Sequence, residues 1–294
     1  MYHKLMLELN DIKAKHLELK ANAIRQSIIK MLLEAGSGHT AGPLGMADVF
    51  TALYFHILSH DPKKPDWDER DRVVLSNGHI CPVLYATMAH AGYFPIDELQ
   101  TLRKFKSRLQ GHPHREFLPM LETSSGPLAS GLSQAVGMAL AERIDHGVSN
   151  GKYIYALLSD GEHNSGQIWE AAMLAGKNKL RNLIALVDRN NIQIDGYTED
   201  IMPLEPLADK WRAWNWHVQE IDGHNMYEIV NAVNQAKAVF EKPSVIICRT
   251  IPGKGVPEFE RKFEWHGKPP NKEEAKMALN ALRTLEGKIK SEHE

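Results

Sequence analysis

Cysteine is scarce. Cys81 and Cys248 are the only two in 294 residues, which excludes a disulfide scaffold and fits a reducing, cytoplasmic setting. Long apolar runs are missing: none approaches the roughly 18 residues that span a membrane. The charged, amphipathic N-terminus lacks the apolar centre of a signal peptide. Nor does one sign of charge dominate. A formal net charge of −2, mixed along the chain, gives no footprint for nucleic acid. No linker, repeat or low-complexity stretch interrupts the sequence. What remains is a globular chain long enough for a substantial core, with room for one large α/β domain or two small ones.

The clearest pattern lies between Tyr153 and Gly196. Tyr153 to Leu158 is a short apolar run of β-formers and reads as a buried parallel strand. It ends at Ser159-Asp160-Gly161-Glu162. A helical stretch follows with Ile168, Ala171, Ala172 and Ala175 on one face. Leu183 to Val187 is a second buried strand, ending in Asp188-Arg189-Asn190-Asn191-Ile192. A right-handed crossover puts both strand tips on one sheet edge, the edge where open parallel sheets bind ligands. Asp160 offers a carboxylate oxygen, Asn190 an amide oxygen, and Ile192 a backbone carbonyl. Three oxygens without Cys or His suit Mg²⁺ or Ca²⁺ rather than zinc. Gly161 lets the backbone approach a phosphate and offers it an N–H.

The rest of the chain alternates in the same way. Helices are predicted over about 13–34, 45–58, 96–106, 131–146, 204–214 and 226–240, with a charged helix at the end. Further strands are predicted at 73–75, 216–221 and 244–250. One continuous alternation implies a single domain over 1–294: a doubly wound, mostly parallel α/β sheet with helices on both faces. Histidines sit in its loops. His39 follows the helix stop Gly36-Ser37-Gly38. His79 lies at a helix start just before Pro82, where a phosphate docks. His112 and His266 fall in the long irregular segments 106–130 and 251–270; such segments inside a compact domain are usually functional. Ala135, Gly137 and Ala139 give helix 131–146 a small-residue face able to pack on a neighbour, including another subunit.

Taken together, Ser37-Gly38-His39, Leu75-Ser76-Asn77-Gly78-His79, Gly111-His112-Pro113, Gly126-Pro127-Leu128, Asp160-Gly161-Glu162, the run Thr198 to Leu207, and Trp265-His266-Gly267 resemble the N-terminal, diphosphate-binding domain of transketolase. The resemblance covers nearly the whole chain. It implies the thiamine-diphosphate-binding fold, with thiamine diphosphate and Mg²⁺ as cofactors and Ca²⁺ or Mn²⁺ as substitutes. By the same resemblance, Asp160, Asn190 and the Ile192 carbonyl hold the metal. Gly161 and Glu162 lie by the diphosphate, His79 and His266 near the diphosphate and reacting centre, and Gly126 and Leu128 along the aminopyrimidine. His39 and His112 touch sugar hydroxyls or move their protons.

Some positions depart from the family pattern. Ser159 replaces the first Gly of Gly-Asp-Gly, Thr40-Ala41 stands for Pro-Gly, Ala129-Ser130 for Gly-Gln, and Ser165 for a Glu. Pyrimidine-binding and C-terminal domains, which family members carry after this one, are not recognisable. The resemblance therefore implies the N-terminal subunit of a split transketolase. It would move a two-carbon ketol unit from a ketose (phosphate) to an aldose (phosphate), and only with a partner that carries those domains, in a heterotetramer of two plus two. Alternatives are a split thiamine-diphosphate synthase acting on a modified sugar, a 2-oxo acid dehydrogenase α-chain, and a non-catalytic regulatory half.

Overall fold

Burial on both faces shapes the centre of the molecule. The structure, a computed structural model, describes residues 8–147 and 152–293; the first seven residues, part of the N-terminal stretch read above, lie outside them. Among the described residues seven strands occur: β1 (Arg72–Leu75), β2 (Ile154–Ser159), β3 (Leu183–Arg189), β4 (Ile192–Gln193), β5 (Gly196–Tyr197), β6 (His217–Asp222) and β7 (Ser244–Arg249). Five of them form one sheet, all parallel, in the order β1-β2-β3-β7-β6, while β4 and β5 make a small antiparallel hairpin. Every residue of β2 and β3 is buried. Such strands tolerate no polar alternation, which explains their continuous apolar sequence.

The helices are α1 (Asp11–Ala35), α2 (Ala41–Gly45), α3 (Ala47–Ala52), α4 (Cys81–Ala91), α5 (Ser130–His146), α6 (Gly166–Lys177), α7 (Thr198–Ile201), α8 (Leu207–Ala213), α9 (Met226–Ala238) and α10 (Lys272–His293). Strand alternation sorts them into two layers. Tyr155, Leu157, Ile184, Leu186 and Ile246 face a core built with α1, α3, α4, α9 and α10. Ile154, Ala156, Leu158, Ala185 and Val187 face a second core built with α5, α6 and α8. The doubly wound α/β sheet expected from sequence is therefore the observed architecture. Among the described residues no helix is long and apolar enough to cross a membrane.

Local chemistry sets the element ends. The Asn10 side chain caps α1 by accepting from Lys13 N–H at 2.9 Å, and Gly36 ends that helix at φ 61°, a left-handed cap open to glycine. Several predicted helices are shorter or broken. Residues 96–106 hold only a 3₁₀ turn, Ile96–Thr101, because Arg103 and Lys106 take positive φ (60° and 64°), which no right-handed helix contains. The stretch 45–58 divides into α2, α3 and a π-turn, Leu53–Ile57. Helix α8 starts only at Leu207, after Pro203 and Pro206. The small-residue face of α5 is also different from its reading as a partner surface. Ala135 and Ala139 are buried in the molecule's own second core, and only Gly137 is exposed.

Close approach brings α5 to the end of β1. A Cβ placed on Gly131 would lie 2.5 Å from the Ser76 Cα. Overpacking of this kind costs about 1–3 kcal/mol. Gly131→Ala is therefore expected to lower unfolding stability by that amount in urea denaturation with an unchanged slope; an unaltered midpoint would mean the two elements do not touch this closely.

Candidate active site

All five parallel strands point their C-terminal ends at one edge, and the sequence-selected residues gather there. The register sets Ser159 beside Asp188, and Asp188 beside Cys248. Asp160 and Asn190 follow directly on β2 and β3. His79 sits in the single 3₁₀ turn Gly78–Ile80 after β1. His39 lies in the loop after α1, and His266 closes the 3₁₀ turn Phe263–Trp265.

Glu162 ties this edge together. Its carboxylate is buried and accepts from Ser76 Oγ (2.5 Å), Ala129 N–H (2.6 Å) and Ser159 N–H (2.7 Å). Those donors come from the end of β1, the start of α5 and the end of β2. Burial pushes its pKa up, against the pull of the same donors. All these contacts are within the chain, and they join three segments at the edge. Ala129, a non-glycine residue at φ 73°, is held in that strained state by its bond to Glu162. Gly126 and Leu128 lie just before it, with Leu128 about half exposed.

The oxygen-rich side lies at the tips of β2 and β3. Asp160 is 1 % exposed. Its Oδ1 accepts from Gly161 N–H (2.8 Å); its Oδ2 accepts from Asn191 N–H (2.7 Å) and Arg189 Nη1 (3.0 Å). The Gly161 N–H is therefore engaged by the neighbouring carboxylate. Asn190 donates Nδ2 to Asp188 (2.7 Å) and accepts Ile192 N–H at Oδ1 (3.0 Å). Arg189 also reaches Glu199 (2.5 Å) and Glu205 (3.1 Å), so one guanidinium meets three carboxylates. Asp188 adds a fourth acid. Burial first, then Asp160, lifts its pKa to about 7, against Thr250 and Asn190. Of the four, Asp160 and Asp188 are buried, while Glu199 and Glu205 reach solvent; buried carboxylates among hard oxygen donors suit a divalent cation.

The other side is imidazole-rich. Rings of His39, His79 and His266 form a triangle with centroids 4.9, 5.3 and 5.4 Å apart. Burial lowers all three pKa values, to about 4 for His39 and His266 and well below the usual range for His79. Mutual repulsion adds to this for His39 and His79. Each ring is therefore neutral at pH 7, with one donor and one acceptor nitrogen. His112 is exposed at the rim and reaches the others only through charge; burial and Arg103 lower its pKa. The structure thus brings three of the four histidines into contact and leaves the fourth at the entrance.

Sequence reasoning missed several residues. Arg189 stands in the sequence between Asp188 and Asn190, and its carboxylate partners Asp160, Glu199 and Glu205 lie 29, 10 and 16 residues away. Asn77 is fully buried with both amide atoms unbonded, as are His39 Nδ1, His266 Nδ1 and Ser125 Oγ. These polar atoms fit a bound polar ligand, since buried polar groups are rarely left unpaired. Their only signal was their place in the loops. His163 is buried beneath the edge; it accepts from Trp211 Nε1 (3.2 Å), and its Nδ1 lies 2.9 Å from the Ser159 carbonyl. With the hard oxygens on one side and the bare donors on the other, the residues present fit a metal–diphosphate pair.

Comparison with known proteins agrees. The family model described as transketolase, thiamine diphosphate binding domain, matches residues 17–285. A 6-deoxy-6-sulfo-D-fructose transketolase subunit from a Clostridium species is 48% identical over 266 residues, covering 90% of this chain and 96% of that protein. One subunit of an apulose-4-phosphate transketolase from Phocaeicola vulgatus is 37% identical, covering 96% of this chain and 99% of its own length. Transketolase from Leishmania mexicana superposes with a TM-score of 0.83 at 31% identity, over 94% of this chain and 45% of that one. The chain therefore spans less than half of that solved transketolase, but nearly all of the two subunits.

The depressed imidazoles make stability depend on pH. Their folded pKa values lie below the unfolded value of about 6.5, so between about pH 4 and 6.5 the unfolded chain binds more protons. Their contribution is complete above about pH 6.5 and is lost as pH falls towards 4. Asp188, raised to about 7, works in the opposite sense. Denaturation midpoints of the wild type and of a His39→Ala/His266→Ala variant between pH 4.5 and 7 separate the two effects. The variant should lose less stability on acidification; an identical pH dependence would show that these rings are not held neutral by the fold.

Proposed function

Because this chain belongs to the transketolase thiamine-diphosphate-binding family, we propose that it is the cofactor-holding subunit of a two-chain transketolase. It would transfer a two-carbon ketol unit from a ketose donor to an aldose acceptor. The observation that carries this reading is the pairing, on one sheet edge, of the Asp160/Asn190 oxygen set with the His39, His79 and His266 triangle. Asp160, Asn190 and the Ile192 carbonyl would hold Mg²⁺, with burial raising the Asp160 pKa and Arg189 pulling against it. Gly161 would let the diphosphate approach, with His79 and His266 donating to it. Gly126 and Leu128 would lie along the aminopyrimidine. His39, and His112 from the rim, would bind sugar hydroxyls and accept or return their protons, work that typically contributes about 10²- to 10⁴-fold in rate.

Thiamine diphosphate, when bound, supplies the electron sink that cleavage beside a carbonyl requires. The partner would contribute the pyrimidine-binding and C-terminal domains, in a heterotetramer of two plus two, with residues 1–294 acting as a single domain. Two relatives covered almost in full and named as subunits support that division. Their names, with a sulfonated and a phosphorylated sugar, favour an anionic, modified ketose as donor.

Two measurements test the proposal. Asp160→Ala should abolish binding of thiamine diphosphate with Mg²⁺ in calorimetric titration and keep its fold, because Arg189 retains Glu199 and Glu205; wild-type affinity would remove Asp160 from the metal set. A ketol-transfer assay with Mg²⁺ and thiamine diphosphate should show turnover only when a second chain carrying pyrimidine-binding and C-terminal domains is added. Substantial turnover by the purified chain alone would refute the two-chain reading.

A further inference from the structure

Arg25, Asp48 and His224 form a second polar cluster. Asp48, on α3, is 5 % exposed. Arg25 of α1 grips both of its oxygens, at 3.1 and 2.5 Å, and donates Nε to the Leu44 carbonyl at 3.0 Å. Asp48 Oδ2 also lies 2.7 Å from His224 Nδ1, in the turn after β6. The opposite nitrogen of that ring, Nε2, lies 2.7 Å from the Ile251 backbone N–H. An amide N–H can only donate, so Nε2 carries the lone pair and Nδ1 carries the proton, which it donates to Asp48. The imidazole is fixed in one tautomer and one orientation. Although burial opposes it, Arg25 and His224 hold the Asp48 carboxyl at about 2, so the acceptor stays charged at neutral pH.

Ile251 opens the segment that ends at His266, and contacts run along its whole length. The Ile251 carbonyl lies where a Cβ on Gly45 would meet it at 3.0 Å. Gly253 N–H donates to the Ala41 carbonyl (2.9 Å), and Arg261 N–H to the Pro252 carbonyl (3.0 Å). Phe259 packs on the Gly253 backbone so closely that a Cβ there would meet it at 2.7 Å. Phe259 stacks on Trp265 with ring centroids 3.6 Å apart, and His266 N–H donates to the Phe263 carbonyl at 2.8 Å. A shift of Ile251 therefore passes through packed groups to the His266 ring.

We propose that Asp48 and His224 are a positioning pair: the carboxylate orients the imidazole, and the imidazole holds Ile251 and the segment that carries His266. Asp48 and His224 are not among the residues given above to cofactor or substrate. Only the effect on turnover rests on the role given to His266 above; the positioning does not.

The test compares three variants by amide hydrogen exchange of the purified chain. His224→Phe fills the space but accepts no hydrogen bond. His224→Asn has a shorter amide that reaches Asp48 but not Ile251, and serves if the Phe variant does not fold. His224→Gln restores an acceptor near the position of Nε2. Leaving a buried donor unpaired should raise exchange in residues 251–266 about 10- to 100-fold in the Phe and Asn variants, with β2 and β3 unchanged, and Gln should recover most of the protection. In the assembled enzyme, the Phe or Asn variant should lose about 10²-fold in kcat with KM near wild type. Unchanged exchange in 251–266, or an equal rise throughout the chain, would overturn the positioning role. An opened segment with full ketol transfer would sustain it and remove His266 from the proposed chemistry.

Discussion

Three loops that leave the sheet separately meet on one buried carboxylate. Glu162 accepts from the end of β1, the end of β2 and the start of α5. A carboxylate removed from water stays ionised only if enough donors surround it, so the loops and the charge depend on each other. Once they are in place, His79 has a fixed base on the β1 side and Asp160 a fixed base on the β2 side. Gly131 permits this arrangement by letting α5 come against Ser76 without a side chain between them.

The edge is electrostatically divided. Around Arg189, carboxylates outnumber cations. Around His39, burial holds three imidazoles neutral, and neighbouring rings add to this for His39 and His79. Neither half is a comfortable interior. Buried acids without enough counter-charge favour a metal ion, and neutral rings with unpaired nitrogens favour a polar group that can accept from them or donate to them. A ligand that joins a cation to phosphate oxygens relieves both halves at once. The division also explains why the histidines need not be charged beforehand: the energy of meeting an anion is available only when it arrives.

Support behind the edge follows one pattern. His163 beneath β2 and His224 behind the Ile251 segment each have one nitrogen facing a fixed donor, Trp211 Nε1 or Ile251 N–H, which settles the tautomer. A ring fixed this way can hold backbone in place. By contrast, Nδ1 of His39 and of His266 at the candidate site has no such partner.

Local pattern in the chain is enough to establish the alternating elements, the buried character of β2 and β3, and the placement of Asp160, Asn190, His39, His79, His112 and His266 in loops at strand or helix ends. Apolar runs, glycine stops and helix starts act over a few residues. Helix lengths at 45–58 and 96–106 escape such a reading, because a π-turn and positive φ at Arg103 and Lys106 depend on packing beyond the local window. It takes the folded chain to show that Glu162 faces inward, that Arg189 joins Asp160 to Glu199 and Glu205, and that Ala135 and Ala139 serve the molecule's own core. Each of these turns on partners distant in sequence, on burial, and on which face of a strand or helix meets another element. Residue spacing carries none of that information, because charge and packing energies depend on distance in space.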